Sequence, residues 1–135
     1  MDAKPRLDSA LVQEFVAKSH GDLDRVRALI QSTPALVNAA WDWGAGDWET
    51  GLGAAAHVGR RDIALFLLDH GARLDVFAAT MLGYLDVVQA AVEARPDVVH
   101  VAGPHGIPLI AHARAGGEGA AAVLAFLEDR LRRSA

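Results

Sequence analysis

The chain has no cysteine, which excludes disulfide bonds, thiolate metal sites and cysteine nucleophiles. It also has no uninterrupted run of about 18 apolar residues, the length that a membrane-spanning helix requires. No apolar signal core follows the first residues either. We therefore expect a soluble, cytoplasmic protein that has no membrane partner and whose fold depends on packing alone.

Clustered basic residues are missing as well. The net charge is −4, whereas nucleic-acid binding depends on clustered Lys and Arg that neutralise phosphates. The basic residues at 130–133 end an apolar helical pattern, where cations favour the negative end of the helix dipole. We expect no nucleic-acid partner. With 135 residues and 52% hydrophobic content, the chain fits one domain over 1–135.

A short pattern recurs three times: Gly is followed three positions later by Asp at 21–24, 59–62 and 83–86. Gly can end a helix with a positive φ, and Asp in the first turn of the next helix meets unpaired N–H groups. The pattern therefore predicts helix-turn-helix pairs. The apolar stripes that follow are expected to be core: Val26, Leu29 and Ile30; Ile63, Leu67 and Leu68; Val87, Ala91 and Val92.

Three segments resemble blocks of the ankyrin repeat. Residues 50–59 keep the Thr, Leu, Ala pair and final Gly of the first-helix block, and 107–116 keep its Pro-Leu and final Gly. Residues 71–75 are close to the exit block. The resemblance covers most of the chain and implies an all-α, ankyrin-type helical solenoid. It would hold about four degenerate repeats, at approximately 7–38, 39–74, 75–100 and 101–133.

The spacing of the turn glycines is irregular. Gly21, Gly59, Gly83 and Gly116 lie 38, 24 and 33 residues apart, against an ankyrin period of about 33. The long interval predicts a projecting hairpin or loop finger at 39–49. The short interval predicts that the next finger is missing, so that the chain passes directly into a helix at 76–82. In the last repeat, Gly116, Gly117 and Gly119 are all candidates for the turn, and the spacing does not decide among them.

The predicted finger holds every tryptophan of the protein and three carboxylates: Trp41, Asp42, Trp43, Asp47, Trp48 and Glu49. Large aromatic side chains dominate binding hot spots. Two interpretations remain open, since the tryptophans can pack the finger onto the helices beneath it or contact a ligand or partner. Gly44 and Gly46 are expected to let the hairpin tip reverse.

Four of the six histidines lie near the groove according to the resemblance. These are His20, His57, His105 and His112, the last either a hydrogen-bonded core residue or a base that lines a pocket. His70 and His100 are expected to be solvated. No two histidines have the spacing of a helical metal site, so neither a metal nor a cofactor is expected.

Ankyrin domains hold other proteins, so the resemblance implies a protein–protein interaction module. Its partner- or ligand-binding surface would comprise Trp41, Asp42, Trp43, Asp47, Trp48, Glu49, His57, Met81 and His105. The alternative is a pocket for a small apolar ligand, or a proton-transfer enzyme of the isomerase or cyclase type. Its catalytic candidates are Asp42, Asp47, Glu49, His57, His105 and His112.

The proton-transfer alternative depends on desolvation of a carboxyl group. A carboxyl group buried in a tryptophan-walled notch has its pKa raised toward neutrality, where histidine already titrates. Tryptophans that face outward favour a protein partner. Tryptophans folded over the histidines, with a buried carboxylate, favour a ligand.

Overall fold

The computed structural model describes residues 3–134, and most of these residues are helical. Its eight α-helices are α1 (Ser9–Lys18), α2 (Leu23–Ser32), α3 (Gly51–His57), α4 (Arg61–Asp69), α5 (Val76–Leu82), α6 (Leu85–Ala94), α7 (Leu109–Ala115) and α8 (Ala121–Arg133). Short 3-10 turns lie at Pro34–Asn38, Pro96–His100, Pro104–Gly106 and Gly117–Ala120. The predicted all-α class is confirmed. None of the helices between residues 3 and 134 has the length and apolar character needed to cross a membrane.

The predicted finger is a small antiparallel hairpin formed by β1 (Ala40–Asp42) and β2 (Trp48–Thr50). Its tip reverses through three consecutive residues with positive φ, Gly44, Ala45 and Gly46. The next finger is missing, as the spacing predicts, because α4 ends at Asp69 and α5 begins at Val76 with no strand between them.

The helices pack in consecutive pairs, α1 with α2, α3 with α4, α5 with α6 and α7 with α8. Among the first helices of the pairs, α3 contacts both α5 and α7. The turn after α3 also approaches the end of α7, since a Cβ placed on Gly59 would lie 2.3 Å from the Ala115 carbonyl oxygen. The second and fourth pairs are therefore close to each other at this end of the molecule.

The turns follow the expected glycine chemistry only in part. Gly59 and Gly83 have φ of 74° and 81°, as predicted. Gly21 does not have a positive φ, because successive hydrogen bonds from the backbone of residues 19–22 to Phe15, Ala17 and Lys18 close the end of α1 instead. In the last turn the positive φ falls on Gly117 and not on Gly116.

Side-chain caps begin three helices. Asp22, Thr50 and Asp75 accept the backbone N–H groups of Arg25, Gly53 and Ala78 respectively. This satisfies donors that the first turn of a helix leaves unpaired. Of the Asp residues predicted to do this, Asp62 accepts from Ile63, whereas α2 is capped by Asp22 and not by Asp24.

The predicted stripes of α2 and α4 lie in the core, with Val26, Leu29, Ile30, Ile63 and Leu67 all buried. The stripe of α6 is shifted by one position. Val87 is 40% exposed, and Val88 is buried in its place, one helical turn before the buried Val92. Residues four apart face the core on this helix. The sequence spacing alone did not determine whether they are Val87 and Ala91 or Val88 and Val92.

Met81 is fully buried, so its predicted place on the binding surface is wrong. It belongs to α5, which packs against both α3 and α7. With neighbouring helices on two sides, α5 has no free face for this side chain.

His112 is also fully buried, as expected for the core residue that is one of its two predicted roles. Its Nδ1 lies 2.9 Å from the Pro108 carbonyl oxygen and its Nε2 has no hydrogen-bond partner. A carbonyl oxygen only accepts, so Nδ1 carries the proton and Nε2 has a bare lone pair. Burial lowers the pKa of His112 below its ordinary value of 6.5, and nearby His57 acts in the same direction.

The close approach of the second and fourth pairs predicts an unequal response to two glycine substitutions. Gly59→Ala and Gly71→Ala both place a side chain at positive φ, but a Cβ on Gly71 meets nothing within 4 Å. We expect Gly59→Ala to lower the free energy of unfolding by about 1 to 3 kcal/mol more than Gly71→Ala, the range typical of overpacking. Urea denaturation measures the difference, and equal losses would contradict this packing.

His112 predicts a loss of stability in mild acid. Its folded-state pKa is lowered, so below pH 6.5 the unfolded chain binds a proton that the folded chain does not. The contribution is complete above pH 6.5 and declines as the pH falls toward the folded-state pKa, at up to roughly 1.4 kcal/mol per pH unit. His112→Gln should flatten this part of the curve in denaturation experiments from pH 7.5 to 5.5. Parallel curves for the two proteins would contradict it.

Candidate functional site

The strand pairing of the hairpin places the residues of the tryptophan-rich finger on two opposite faces. Trp41 pairs with Glu49 and Asp42 pairs with Trp48, and side chains alternate between faces along each strand. Glu49 therefore lies on the inner face and is 1% exposed, whereas its neighbour Trp48 lies on the outer face and is 61% exposed. Trp43 and Asp47 continue the inner face toward the tip.

Three histidines surround the Glu49 carboxylate. The Nε2 atom of His20 lies 3.2 Å from Oε1, and those of His57 and His105 lie 3.1 and 3.2 Å from Oε2. One ligand atom from each of these four residues lies within 4.8 Å of all the others. We call His20, Glu49, His57 and His105 the Glu49 cluster.

The Glu49 cluster draws on four separate segments of the chain. His20 lies in the turn after α1, Glu49 in β2, His57 at the end of α3, and His105 in the 3-10 turn Pro104–Gly106. No finger stands between the hairpin and this last turn, so the two meet directly. Asp47 accepts hydrogen bonds from both the backbone N–H and the Nδ1 of His105, at 2.8 and 2.7 Å.

His105 has a φ of 61°, a left-handed conformation that is uncommon outside glycine. Such backbone strain is concentrated at functional sites, where the surrounding structure holds the residue in place. Here the hydrogen bonds from His105 to Asp47 hold the ring against Glu49.

Hydrogen bonds at Nδ1 fix the tautomer of two of the imidazoles, those of His20 and His105. Nδ1 of His20 lies 3.0 Å from the carbonyl oxygens of Val16 and Ala17, and Nδ1 of His105 contacts the Asp47 carboxylate. These partners can only accept, so each Nδ1 carries a proton. In the neutral rings the lone pair is therefore on Nε2, which is the atom that points toward Glu49.

Two buried atoms of the Glu49 cluster have no hydrogen-bond partner. They are Glu49 Oε2 and His57 Nε2, although the two atoms are only 3.1 Å apart. Oε1 accepts the indole N–H of Trp43 at 2.9 Å. Buried polar atoms are usually paired, and a proton or a cation between this oxygen and this nitrogen would satisfy both.

The contacts of the Glu49 carboxylate favour its ionised form. Burial raises the pKa of Glu49, but His20, His57 and Trp43 outweigh burial and hold this pKa well below its ordinary value. Proximity of Glu49 in turn raises the pKa of His20. The expected carboxyl pKa near neutrality is therefore wrong for Glu49, because its contacts with the His20 and His57 rings and with the Trp43 indole N–H outweigh its desolvation.

Three sequence-predicted site residues, Asp42, Trp41 and Trp48, lie apart from the Glu49 cluster. Asp42 accepts the N–H groups of Gly44 and Gly46 and so shapes the hairpin tip. Trp41 packs on the hydrophobic core. Trp48 faces outward beside the N-terminal segment, where it borders a cavity of about 390 Å³ together with Arg6 and Leu7.

Trp43 is the tryptophan that reaches the histidines. Its ring centroid lies 6.4 Å from that of His20 and 6.2 Å from that of His105. The inner face of the finger thus combines a folded-over indole, a buried carboxylate and histidines, which is the arrangement expected of a ligand site.

Sequence reasoning named Glu49, His57 and His105 as candidates but found no reason for a metal site. No spacing rule applies, because each residue of the Glu49 cluster comes from a different segment. The resemblance predicts that His20 lies near the groove but does not include it among the site candidates. Its one available signal was its position just before a turn glycine, as for His57.

Comparison of the chain with family models, curated proteins and solved structures found no match. The likeness to ankyrin repeats therefore depends on the residues quoted above.

Proposed function

We propose that the Glu49 cluster binds one divalent transition-metal ion and that metal binding is the primary function of this site. The observation that carries the proposal is the pair of buried, unpartnered atoms, Glu49 Oε2 and His57 Nε2. A cation placed between them satisfies both atoms, together with the Nε2 lone pairs of His20 and His105.

The distances fit a coordination shell. Ligand atoms bound at about 2.0 to 2.1 Å lie about 2.9 to 3.4 Å from one another in octahedral or tetrahedral geometry. The three separations between Glu49 oxygens and histidine nitrogens are 3.1 to 3.2 Å. The Oε2 contacts of His57 and His105 match neighbouring ligands around one ion, and Nε2 of His20 completes a set of four ligand atoms that all lie within 4.8 Å of one another.

Glu49 favours a proton on His20, but a single proton pairs only one ring with the carboxylate. Protonating every ring would put three cations around a single carboxylate, with ring centroids 5.0 to 6.3 Å apart. Like charges at such distances oppose ionisation. One divalent ion offsets the carboxylate and leaves the three rings neutral.

The donor set indicates the class of metal. Three imidazoles and one carboxylate suit zinc and its neighbours in the first transition series, whereas magnesium and calcium require mainly oxygen ligands. The Asp47 carboxylate on His105 Nδ1 and the backbone carbonyls on His20 Nδ1 are the outer partners that metal-bound histidines usually have.

We propose that the helix pairs are diverged ankyrin-type repeats, supported by their turn glycines and by the single hairpin finger. In this arrangement the lost finger brings the fourth repeat against the second and so creates the metal site. Binding of a protein partner along the same surface stays a prediction.

Zinc titration of the chain stripped with EDTA tests the proposal. Isothermal calorimetry should give one ion per chain. Glu49→Gln keeps the shape of the side chain but removes its charge, and it should weaken zinc binding by at least about 100-fold, beyond the range typical of outer partners. His105→Ala, at a side chain only partly buried, should do the same with little risk to the core.

The control for this titration is His100→Ala. His100 is exposed and its Nε2 lies 3.3 Å from the Ser134 hydroxyl oxygen, away from the Glu49 cluster, so the variant should bind zinc as the parent does. Absence of stoichiometric binding in the parent chain, or equal affinity in Glu49→Gln, would refute the metal site.

A second test concerns the carboxylate behind His105. Asp47→Asn should weaken zinc binding by roughly 10- to 100-fold, the usual effect of removing an outer partner, while the stoichiometry stays at one. The matched control is Asp42→Asn, on the other face of the same hairpin. Its carboxylate accepts the N–H groups of Gly44 and Gly46 at the tip of the finger, so calorimetry should detect no change.

A further inference from the structure

The three rings of the Glu49 cluster are not evenly spaced. The centroid of His57 lies 5.0 Å from that of His20 and 5.3 Å from that of His105, but His20 and His105 are 6.3 Å apart. Three imidazoles placed tetrahedrally around one ion, with bonds of about 2.0 to 2.1 Å, would have centroids about 5.2 Å apart. The His20–His105 pair is therefore splayed wider than a closed tetrahedral site requires.

The wide gap lies on the solvent side. The side chains of His20 and His105 are 28% and 32% exposed, whereas that of Glu49 is fully buried and that of His57 nearly so. The inner half of the coordination sphere is thus closed by protein. The outer half is bordered by the two splayed rings and by Trp43, which is 37% exposed.

Glu49 Oε2 lies near His57 and His105 and has no hydrogen-bond partner. Its other oxygen, near His20, accepts the indole N–H of Trp43. An ion held by these four donors would be least covered by protein between the splayed rings of His20 and His105. Structural zinc sites are closed, whereas sites with an open position hold water or a small ligand.

We propose that the metal centre keeps this position open and that the position binds small oxygen-donor anions of the carboxylate type. The inference rests on the proposed metal site and names its ligand class. An anion is favoured because a divalent ion with one carboxylate and three neutral imidazoles retains one positive charge. The flanking indole of Trp43 offers an apolar wall beside the charged group.

Cobalt(II) reports this position directly, because its visible absorption bands depend on coordination number. The chain is loaded with one equivalent of cobalt and titrated with sodium acetate. We expect a saturable shift of the bands and a loss of their intensity as the coordination number rises. Sodium perchlorate at equal ionic strength is the control, since it is a poor ligand and should leave the spectrum unchanged.

Glu49→Gln, titrated in the same way, gives the background of cobalt that is not held by the intact site. A saturable acetate response in the parent chain, above this background, supports the open position. Stoichiometric cobalt binding with a spectrum indifferent to acetate overturns it and leaves the metal site standing. Failure of cobalt to bind at all overturns both proposals.

Discussion

The Glu49 carboxylate is buried, with Oε2 facing His57 and His105 and Oε1 facing His20, and burying an ionised group without compensation is costly. That requirement ties the finger, the end of α3, the turn after α1 and the turn at Pro104–Gly106 to one point. Asp47 and the carbonyls behind His20 then orient the rings. The local arrangement follows from the need to satisfy one charge.

The shape of the molecule permits this convergence because one projecting arm is absent. The chain runs from α4 to α5 without a finger, so the hairpin at 40–50 and the turn that carries His105 are neighbours in space although 58 residues separate Asp47 from His105. At the opposite end, Gly59 meets Ala115. The short connection between α4 and α5 thus leaves the second and fourth helix pairs in contact both at the hairpin and at the turn after α3.

Features of the fold that depend on local chemistry could be predicted from the sequence. The helix pairs, the hairpin and its reversing tip, and the missing finger all follow from the positions of Gly, Pro and apolar residues. Errors arose where packing decides. Val87 and Val88 are both apolar and only one faces the core, while Met81 is covered because α5 has neighbours on two sides.

The sequence by itself determined the chemical inventory of the site, since it concentrated tryptophans and carboxylates in one finger and placed histidines next to turns. Only the tertiary structure decided which of them meet. Strand register sends Glu49 inward and Trp48 outward, and packing of distant helix pairs brings His20 and His105 to the same carboxylate. Contacts between segments far apart in sequence leave no local pattern, because each residue is placed by its own helix or turn and they meet only when those elements pack.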